Sequence, residues 1–114
     1  MSWLRFFLVL AFAAVALGSR ANELEARLAL ADADRGRLVF GACRTCHYAE
    51  AFMGHNTGPN LSGIFGQVAG KQPGFEYYSD LFQRAEFVWT PQMMFAWLEN
   101  PMEMFPDSTM MSNG

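Results

Sequence analysis

The feature that most constrains this chain is a pentapeptide of the form C-x-x-C-H, residues Cys43-Arg44-Thr45-Cys46-His47. This pattern is the attachment signature of a c-type haem. Each cysteine can form a thioether with one haem vinyl group, because the two-residue spacing places both sulfurs on one helical turn. His47 then follows as an axial ligand of the iron. An electron-shuttling iron needs a second strong ligand, and pairing with methionine raises the reduction potential.

Two other kinds of site use paired cysteines, namely a thioredoxin-like redox pair and half of a zinc site. A zinc site needs two further ligands, but the sequence has only one other histidine, His55, and no other cysteine. A thioredoxin-like pair needs a surrounding βαβ pattern, and none appears. The sequence therefore favours haem.

The N-terminal segment, residues 1–18, has the form of a signal peptide. Arg5 precedes an apolar run from Phe6 to Gly18, 13 residues long. A membrane-spanning helix needs roughly 20 apolar residues, so this run is short for a span. We expect cleavage after Gly18 or Ala21, with an uncleaved membrane anchor as the alternative. Both place the remaining chain on the exported, periplasmic side of the inner membrane.

The rest of the chain divides into residues 19–33, a linker or short helix, and residues 34–114, the haem domain. About 95 residues make only a small apolar core, and a buried haem would enlarge it.

The net charge indicates the kind of partner. Without residues 1–18 the chain has seven Lys and Arg residues and eleven Asp and Glu residues, a net charge of −4 before haem is added. Lys71 is the only lysine. The sequence therefore has no basic patch of the kind that binds nucleic acid. An acidic surface attracts positively charged partners.

Three helices are predicted. The first, residues 34–42, would carry Gly36 and Phe40 on one face, and a glycine inside a helix indicates that another backbone passes close by. The second, residues 79–86, would be capped by Ser79. The third, residues 90–100, has Thr90 as its cap, Pro91 at its first position and Pro101 as its end. Its apolar side is formed by Met94, Trp97, Leu98 and Pro101, which would be ordinary core or, with a haem present, a wall of its pocket.

Glycine-rich loops, residues 47–58 and 63–74, connect these helices. Between them stands Pro59, whose carbonyl can accept the second N–H of a ligating imidazole and so fix the ring. The second axial ligand is expected near the end of the chain. A methionine thioether is a neutral, soft ligand for iron. Met110 or Met111 can supply it, but the chain has eight methionines and spacing alone does not choose among them.

The sequence closely resembles the class I cytochromes c of the mitochondrial and alphaproteobacterial type, over residues 34–111. The matching residues, in chain order, are Gly36, Phe40, Cys43, Cys46-His47, Thr57-Gly58-Pro59-Asn60-Leu61, Gly63, Phe65-Gly66, Pro73-Gly74-Phe75, Tyr78-Ser79-Asp80, Trp89, Trp97-Leu98-Glu99-Asn100-Pro101, Pro106 and Thr109-Met110. The resemblance implies a small all-α fold wrapped around one covalent haem c.

The resemblance also implies roles for individual residues. Cys43 and Cys46 would carry the haem, His47 would be the proximal ligand and Met110 the distal ligand. The Pro59 carbonyl would accept from His47. Tyr78 and Trp89 would hydrogen-bond a haem propionate, with Tyr77 competing with Tyr78 because one residue is inserted nearby. His55 would tie loops together.

The chain also departs from the family. Gln67 replaces an arginine near the propionates, and Ser112 replaces an aromatic residue after the ligand. The family's ring of docking lysines is absent. Its C-terminal helix is missing, as if the domain were truncated, which would leave the surface at Gly36 and Phe40 bare.

The resemblance implies a one-electron carrier, not an enzyme, in exported respiratory electron transfer. Its partners would be redox proteins such as an oxidase, reductase or dehydrogenase, and the N-terminus could add membrane association. Two alternatives follow from the departures. One is a haem protein with a labile methionine that binds small ligands or acts on peroxide. The other is a docking subunit of a respiratory complex whose neighbour supplies the missing helix.

Overall fold

The computed structural model describes residues 20–112 and residue 114. The chain divides into two compact units at the boundary between Ala33 and Asp34. In the first unit, helix α1 covers residues 20–29 of the described chain. An exposed ion pair joins Arg27 and Glu23 one turn apart, at 2.9 Å. No helix among the described residues is long and apolar enough to cross a membrane. The predicted signal segment lies outside the described residues.

The second unit is built from short helices joined by loops. These are α2 (Ala33–Phe40, which begins one residue before the boundary), two 3₁₀ turns (Cys43–Thr45 and Ala51–Met53), α3 (Asp80–Gln83), α4 (Pro91–Glu99) and α5 (Pro101–Met104). Across residues 20–112 the β pairing is limited to one isolated antiparallel bridge between Val68 and Val88. The predicted all-α fold class is confirmed.

Helices α4 and α5 meet at a corner, and a side chain caps the N-terminus of each helix. The Thr90 hydroxyl accepts a hydrogen bond from the Met93 N–H at 3.1 Å, with Pro91 at the first helical position, as predicted. At the corner, Asn100 adopts an extended backbone, and its side-chain oxygen accepts from the Glu103 N–H at 3.2 Å. Pro101 therefore starts a second helix as well as ending the first, which was not anticipated.

The core of this unit lies where α4 and α5 meet the loop before them. Its buried residues are Ala69, Trp89 and Trp97, and the two indole rings lie 6.0 Å apart. Around them pack Ile64, Phe82, Ala85, Phe87, Met93, Met94, Met104, Phe105 and Met110. Of the predicted apolar side of α4, Trp97 and Pro101 are buried, but Leu98 is largely exposed. Leu98 is therefore not part of the core of the described chain, and its place in a haem pocket wall stays a prediction.

Helix α2 buries none of its residues. Leu38 and Val39 are 82% and 72% exposed. No atom lies within 4 Å of the point where a side chain on Gly36 would begin. The prediction that another backbone passes close to Gly36 is therefore wrong for the described chain, and this apolar surface is bare.

Helix α3 is shorter than predicted, ending at Gln83 instead of Glu86. Its last carbonyls are met by Lys71, whose Nζ lies 2.6 Å from the Gln83 oxygen and 3.4 Å from the Phe82 oxygen. The preceding residue, Gly70, has φ +73° and lies so close to the Phe82 carbonyl that no side chain fits. A basic side chain at a helix C-terminus satisfies carbonyls that have no partner within the helix. Lys71, the only lysine in the sequence, therefore stabilises the end of α3.

Candidate haem site

The C-x-x-C-H segment folds into a tight turn. The Cys43 carbonyl accepts from the N–H groups of both Cys46 and His47, at 3.0 and 2.9 Å. Both thiols are unpaired, and Cys46 is the more exposed. Hydrogen bonds from the hydroxyls of Thr57 and, to a lesser extent, Thr45 lower the pKa of the Cys46 thiol because they stabilise the thiolate. The turn presents two accessible thiols beside one imidazole.

The orientation of the His47 ring is fixed by a neighbouring loop. Its Nδ1 lies 2.7 Å from the Pro59 carbonyl oxygen, so the Nδ1–H tautomer donates there and leaves the Nε2 lone pair for a metal. The ring also contacts Gly58, where an added Cβ would lie 2.7 Å from Nδ1 and 2.8 Å from Nε2. The Gly58 N–H donates to the Cys46 carbonyl at 2.8 Å. Only glycine at position 58 allows this arrangement.

The loop that carries Pro59 is held by the buried amide of Asn60. Its Nδ2 donates to the carbonyls of Glu50 and Gly54, at 2.9 and 2.8 Å. Its Oδ1 accepts from the Ser62 N–H at 2.9 Å. A buried polar group that makes all its hydrogen bonds stabilises one backbone arrangement. Asn60 therefore sets the position of the carbonyl that orients His47.

His55 joins this loop to the next one. Its Nδ1 accepts from the Asn60 N–H at 2.9 Å, so Nε2 carries the proton and donates to the Pro73 carbonyl, also at 2.9 Å. Both ring nitrogens are used within the fold. This is the loop-tying contact that the resemblance implied, and it leaves no lone pair on His55 for a metal.

Two consecutive residues, Tyr78 and Ser79, carry hydroxyl groups that do not use all their hydrogen-bonding capacity. The half-buried Tyr78 hydroxyl accepts from the Gln72 N–H at 3.2 Å, which leaves its own proton to donate. Burial raises the pKa of Tyr78, although the Gln72 N–H opposes that shift. The Ser79 hydroxyl is buried and has no hydrogen-bond partner. Tyr77, the competing tyrosine, is 79% exposed.

Trp89 lies in the core, 6% exposed. Its backbone is paired with the preceding loop: the Gly66 N–H donates to the Trp89 carbonyl, and the Trp89 N–H donates to the Gln67 carbonyl, both at 2.9 Å. Phe87 and Phe82 flank the indole, with ring centroids 5.1 and 6.3 Å away. The indole is therefore held in a fixed position.

The two candidate methionines have different surroundings. Met110 is half-buried and packs against the core of Ala69, Trp89 and Trp97, and its N–H donates to the Ser108 hydroxyl at 3.1 Å. Met111 is 91% exposed.

Where the structure describes the chain, no three or more His, Cys, Asp or Glu side chains come together as a metal site. The alternative of a zinc site therefore finds no second pair of ligands in those residues. A small helical fold that presents two free thiols beside an oriented imidazole defines a haem protein of the c type.

Comparison with known proteins agrees with this class. No protein-family model matches the chain. Cytochrome c of Chlamydomonas reinhardtii is 38% identical over 84 residues, 73% of this chain and 74% of that protein. Cytochrome c of Kluyveromyces lactis is 39% identical over 81 residues, 70% of this chain and 73% of that protein. That of Sesamum indicum is 31% identical over 84 residues, 73% of this chain and 75% of that protein. The chain belongs to the class I cytochrome c family.

Cytochromes c are electron-transfer proteins, not enzymes, and carry one covalently attached haem c. The residues present fit that group. Two thiols and the Nε2 lone pair of His47 lie on one turn, and the unpartnered Ser79 hydroxyl is a donor of the kind that a haem carboxylate would satisfy. The sequence predicts only a capping role for Ser79, and that prediction is wrong, because its side chain makes no capping bond to α3. Its place directly after Tyr78, in a stretch shared with the family, is a signal that could have indicated the haem contact.

Proposed function

We propose that this protein is a one-electron carrier in exported respiratory electron transfer, with His47 and Met110 as axial ligands. The observation that carries the proposal is the 2.7 Å hydrogen bond from His47 to Pro59, because it leaves Nε2 available as an iron ligand. The haem, when bound, supplies an iron that stores one electron by changing oxidation state. The chain itself forms and breaks no substrate bonds.

The remaining residues would bind and shield the haem. Cys43 and Cys46 hold it through two thioethers. The hydroxyls of Tyr78 and Ser79, together with Trp89, are donors for its propionates. The apolar cluster around Trp97 lowers the local dielectric, which disfavours the more highly charged oxidised state and so raises the reduction potential.

The choice of Met110 over Met111 is supported by burial, since Met110 packs on the core and Met111 is 91% exposed. Haem-loaded Met110→Ala should lose the methionine–iron absorption band of the oxidised protein, and Met111→Ala should keep it. The reverse result would contradict the assignment. Rapid CO binding by the reduced wild type at neutral pH would instead indicate an open iron position and a ligand-binding protein.

Export is supported by Arg5 and the apolar run that follows it. We therefore propose that residues 1–18 direct the haem domain, residues 34–114, to the periplasmic side of the inner membrane. The segment between them contributes α1 in the described chain. The mass of the exported protein tests this proposal: loss of the first 18 to 21 residues is expected, whereas a full-length mass in the membrane fraction would indicate an anchor.

A second candidate function is that of a docking subunit in a respiratory complex. It is favoured by the bare apolar surface of α2, where Leu38 and Val39 are 82% and 72% exposed. Co-purification with a membrane oxidase or dehydrogenase would support this candidate, and loss of that association in Leu38→Ser would locate the contact. Isolation as a stable haem-loaded monomer would count against it.

A further inference from the structure

We infer that the surface made by the end of α4, by α5 and by the segment after it docks a redox partner through a basic contact surface on that partner. We call it the 98–111 face. Its exposed side chains include Leu98, Glu99, Met102, Glu103, Asp107 and Met111. The inference rests on the proposed function, since it names the partner of the same electron-transfer site.

These residues lie along one segment of the chain, from the end of α4 through α5 to Met111. The Asn100 side chain fixes the start of α5, because its oxygen caps the helix and its Nδ2 donates to the Glu103 carboxylate at 2.9 Å. Gly114 lies against the end of α4, so close to the carbonyls of Leu98 and Glu99 that no side chain would fit. The last described residue therefore lies beside the end of α4.

Apolar side chains form part of this surface. Leu98 and Met102 are 47% and 50% exposed, and Met111 is 91% exposed. Methionine is flexible and polarisable, so it adapts to partner surfaces that bind briefly. Exposed apolar side chains with a polar rim are typical of protein-binding sites.

The charge of the 98–111 face determines which partner fits. Glu99, Glu103 and Asp107 are exposed, and residues 85–114 contain no Lys or Arg. Lys71, the only lysine, contacts the end of α3. A basic partner surface would therefore be attracted, whereas a second copy of this chain would bring like charges together. The face also includes the residue after Met110, so a partner docked there would lie next to the proposed iron ligand.

The test uses the haem-loaded full chain and two probes, gold electrodes coated with amine-terminated or carboxylate-terminated monolayers. We expect rapid interfacial electron transfer on the cationic monolayer and little on the anionic one. The variant E99K/D107K should slow transfer on the cationic monolayer at least about fivefold, because complementary charge controls encounter. The control variant E25K/E86K makes the same change in net charge outside the face and should change the rate less than about twofold.

A second variant, Glu103→Gln, removes one charge with little change of shape and should give a smaller decrease. Retention of the methionine–iron band shows that the site is intact in each variant. Equal rates for E99K/D107K and E25K/E86K, faster transfer on the anionic monolayer, or a dimer that buries this face would overturn the docking inference alone. A haem that a soluble mediator cannot reduce would contradict the proposed function, and the docking inference with it.

Discussion

The imidazole of His47 lies against the backbone of Gly58 with no space for a side chain between them. A Cβ at position 58 would approach Nδ1 to 2.7 Å and Nε2 to 2.8 Å. The same ring donates to the carbonyl of the next residue, Pro59. Two consecutive backbone positions therefore determine where the proposed proximal ligand points.

The contact predicts that Gly58→Ala will move the imidazole. The unfolding free energy of the haem-loaded protein should fall by about 1–3 kcal/mol, as for other overpacked sites, and the absorption spectrum should change with the axial ligand. Denaturant titration followed by haem absorbance measures both. The control is Gly36→Ala, which meets no atom within 4 Å and should raise stability by about 0.5–1 kcal/mol. A Gly58→Ala protein as stable as wild type would contradict this account of the site.

Asn60 is predicted to be the most important polar residue of the loops. Asn60→Ala removes donors to the Glu50 and Gly54 carbonyls and an acceptor for the Ser62 N–H. Loss of these three part-buried hydrogen bonds should lower the unfolding free energy by about 2–4 kcal/mol. Asn56→Ala is the control, since its side chain makes one exposed bond to the Thr45 carbonyl and should cost less than about 1 kcal/mol. Equal losses in chemical denaturation would argue against a central role for Asn60.

Local signals in the sequence predicted α4 well, because its cap, Thr90, and its first residue, Pro91, act on adjacent backbone. The same kind of signal gave an incomplete prediction at Pro101. A proline after a helix can end that helix and also begin the next one, and Pro101 does both. Asn100 at the corner caps the second helix, through a side-chain bond that spacing does not reveal.

Predictions of distant contacts succeeded for both histidines. The acceptor role of Pro59 follows from its free carbonyl as well as from the family resemblance, and the role of His55 follows from the resemblance alone. The bond from His47 to Pro59 and the two bonds of His55 are present as it implied. Helix α3 was predicted too long because nothing local marks its end, where Lys71 meets the last carbonyls. Helical periodicity predicts Leu98 on the apolar side of α4, but it does not show where the cluster around Trp97 stops, and Leu98 lies outside that cluster.

Ser79→Ala should affect the apo and haem-loaded proteins differently. The Ser79 hydroxyl is buried without a partner, so its removal should leave the apo protein unchanged or slightly more stable. With haem attached, loss of a propionate hydrogen bond should lower the unfolding free energy by about 0.5–1.5 kcal/mol. Thr90→Ala, which removes a true helix cap, should cost about 1 kcal/mol in both forms. Equal effects of Ser79→Ala in the two forms would show that the hydroxyl does not face the haem.

Burial of Tyr78 predicts loss of stability in alkaline solution. Because the folded state raises the pKa of this hydroxyl, its contribution to stability is fully present below the unfolded pKa of about 10. That contribution is lost as pH rises toward the higher folded pKa. Tyr78→Phe should flatten the alkaline decrease in unfolding free energy, and the control Tyr77→Phe, at a 79% exposed position, should not. Denaturant titrations across the alkaline range, with tyrosinate absorbance recorded in parallel, would make the comparison.

The central claim is that one haem is bonded to both Cys43 and Cys46, with His47 and Met110 on the iron. The most direct measurement is the intact mass and visible spectrum of the chain after export into a host with a haem-attachment system. We predict a mass increased by one haem, two thiols that no longer react with an alkylating agent, and a methionine–iron band in the oxidised state. A colourless protein whose two thiols both remain reactive would contradict the account.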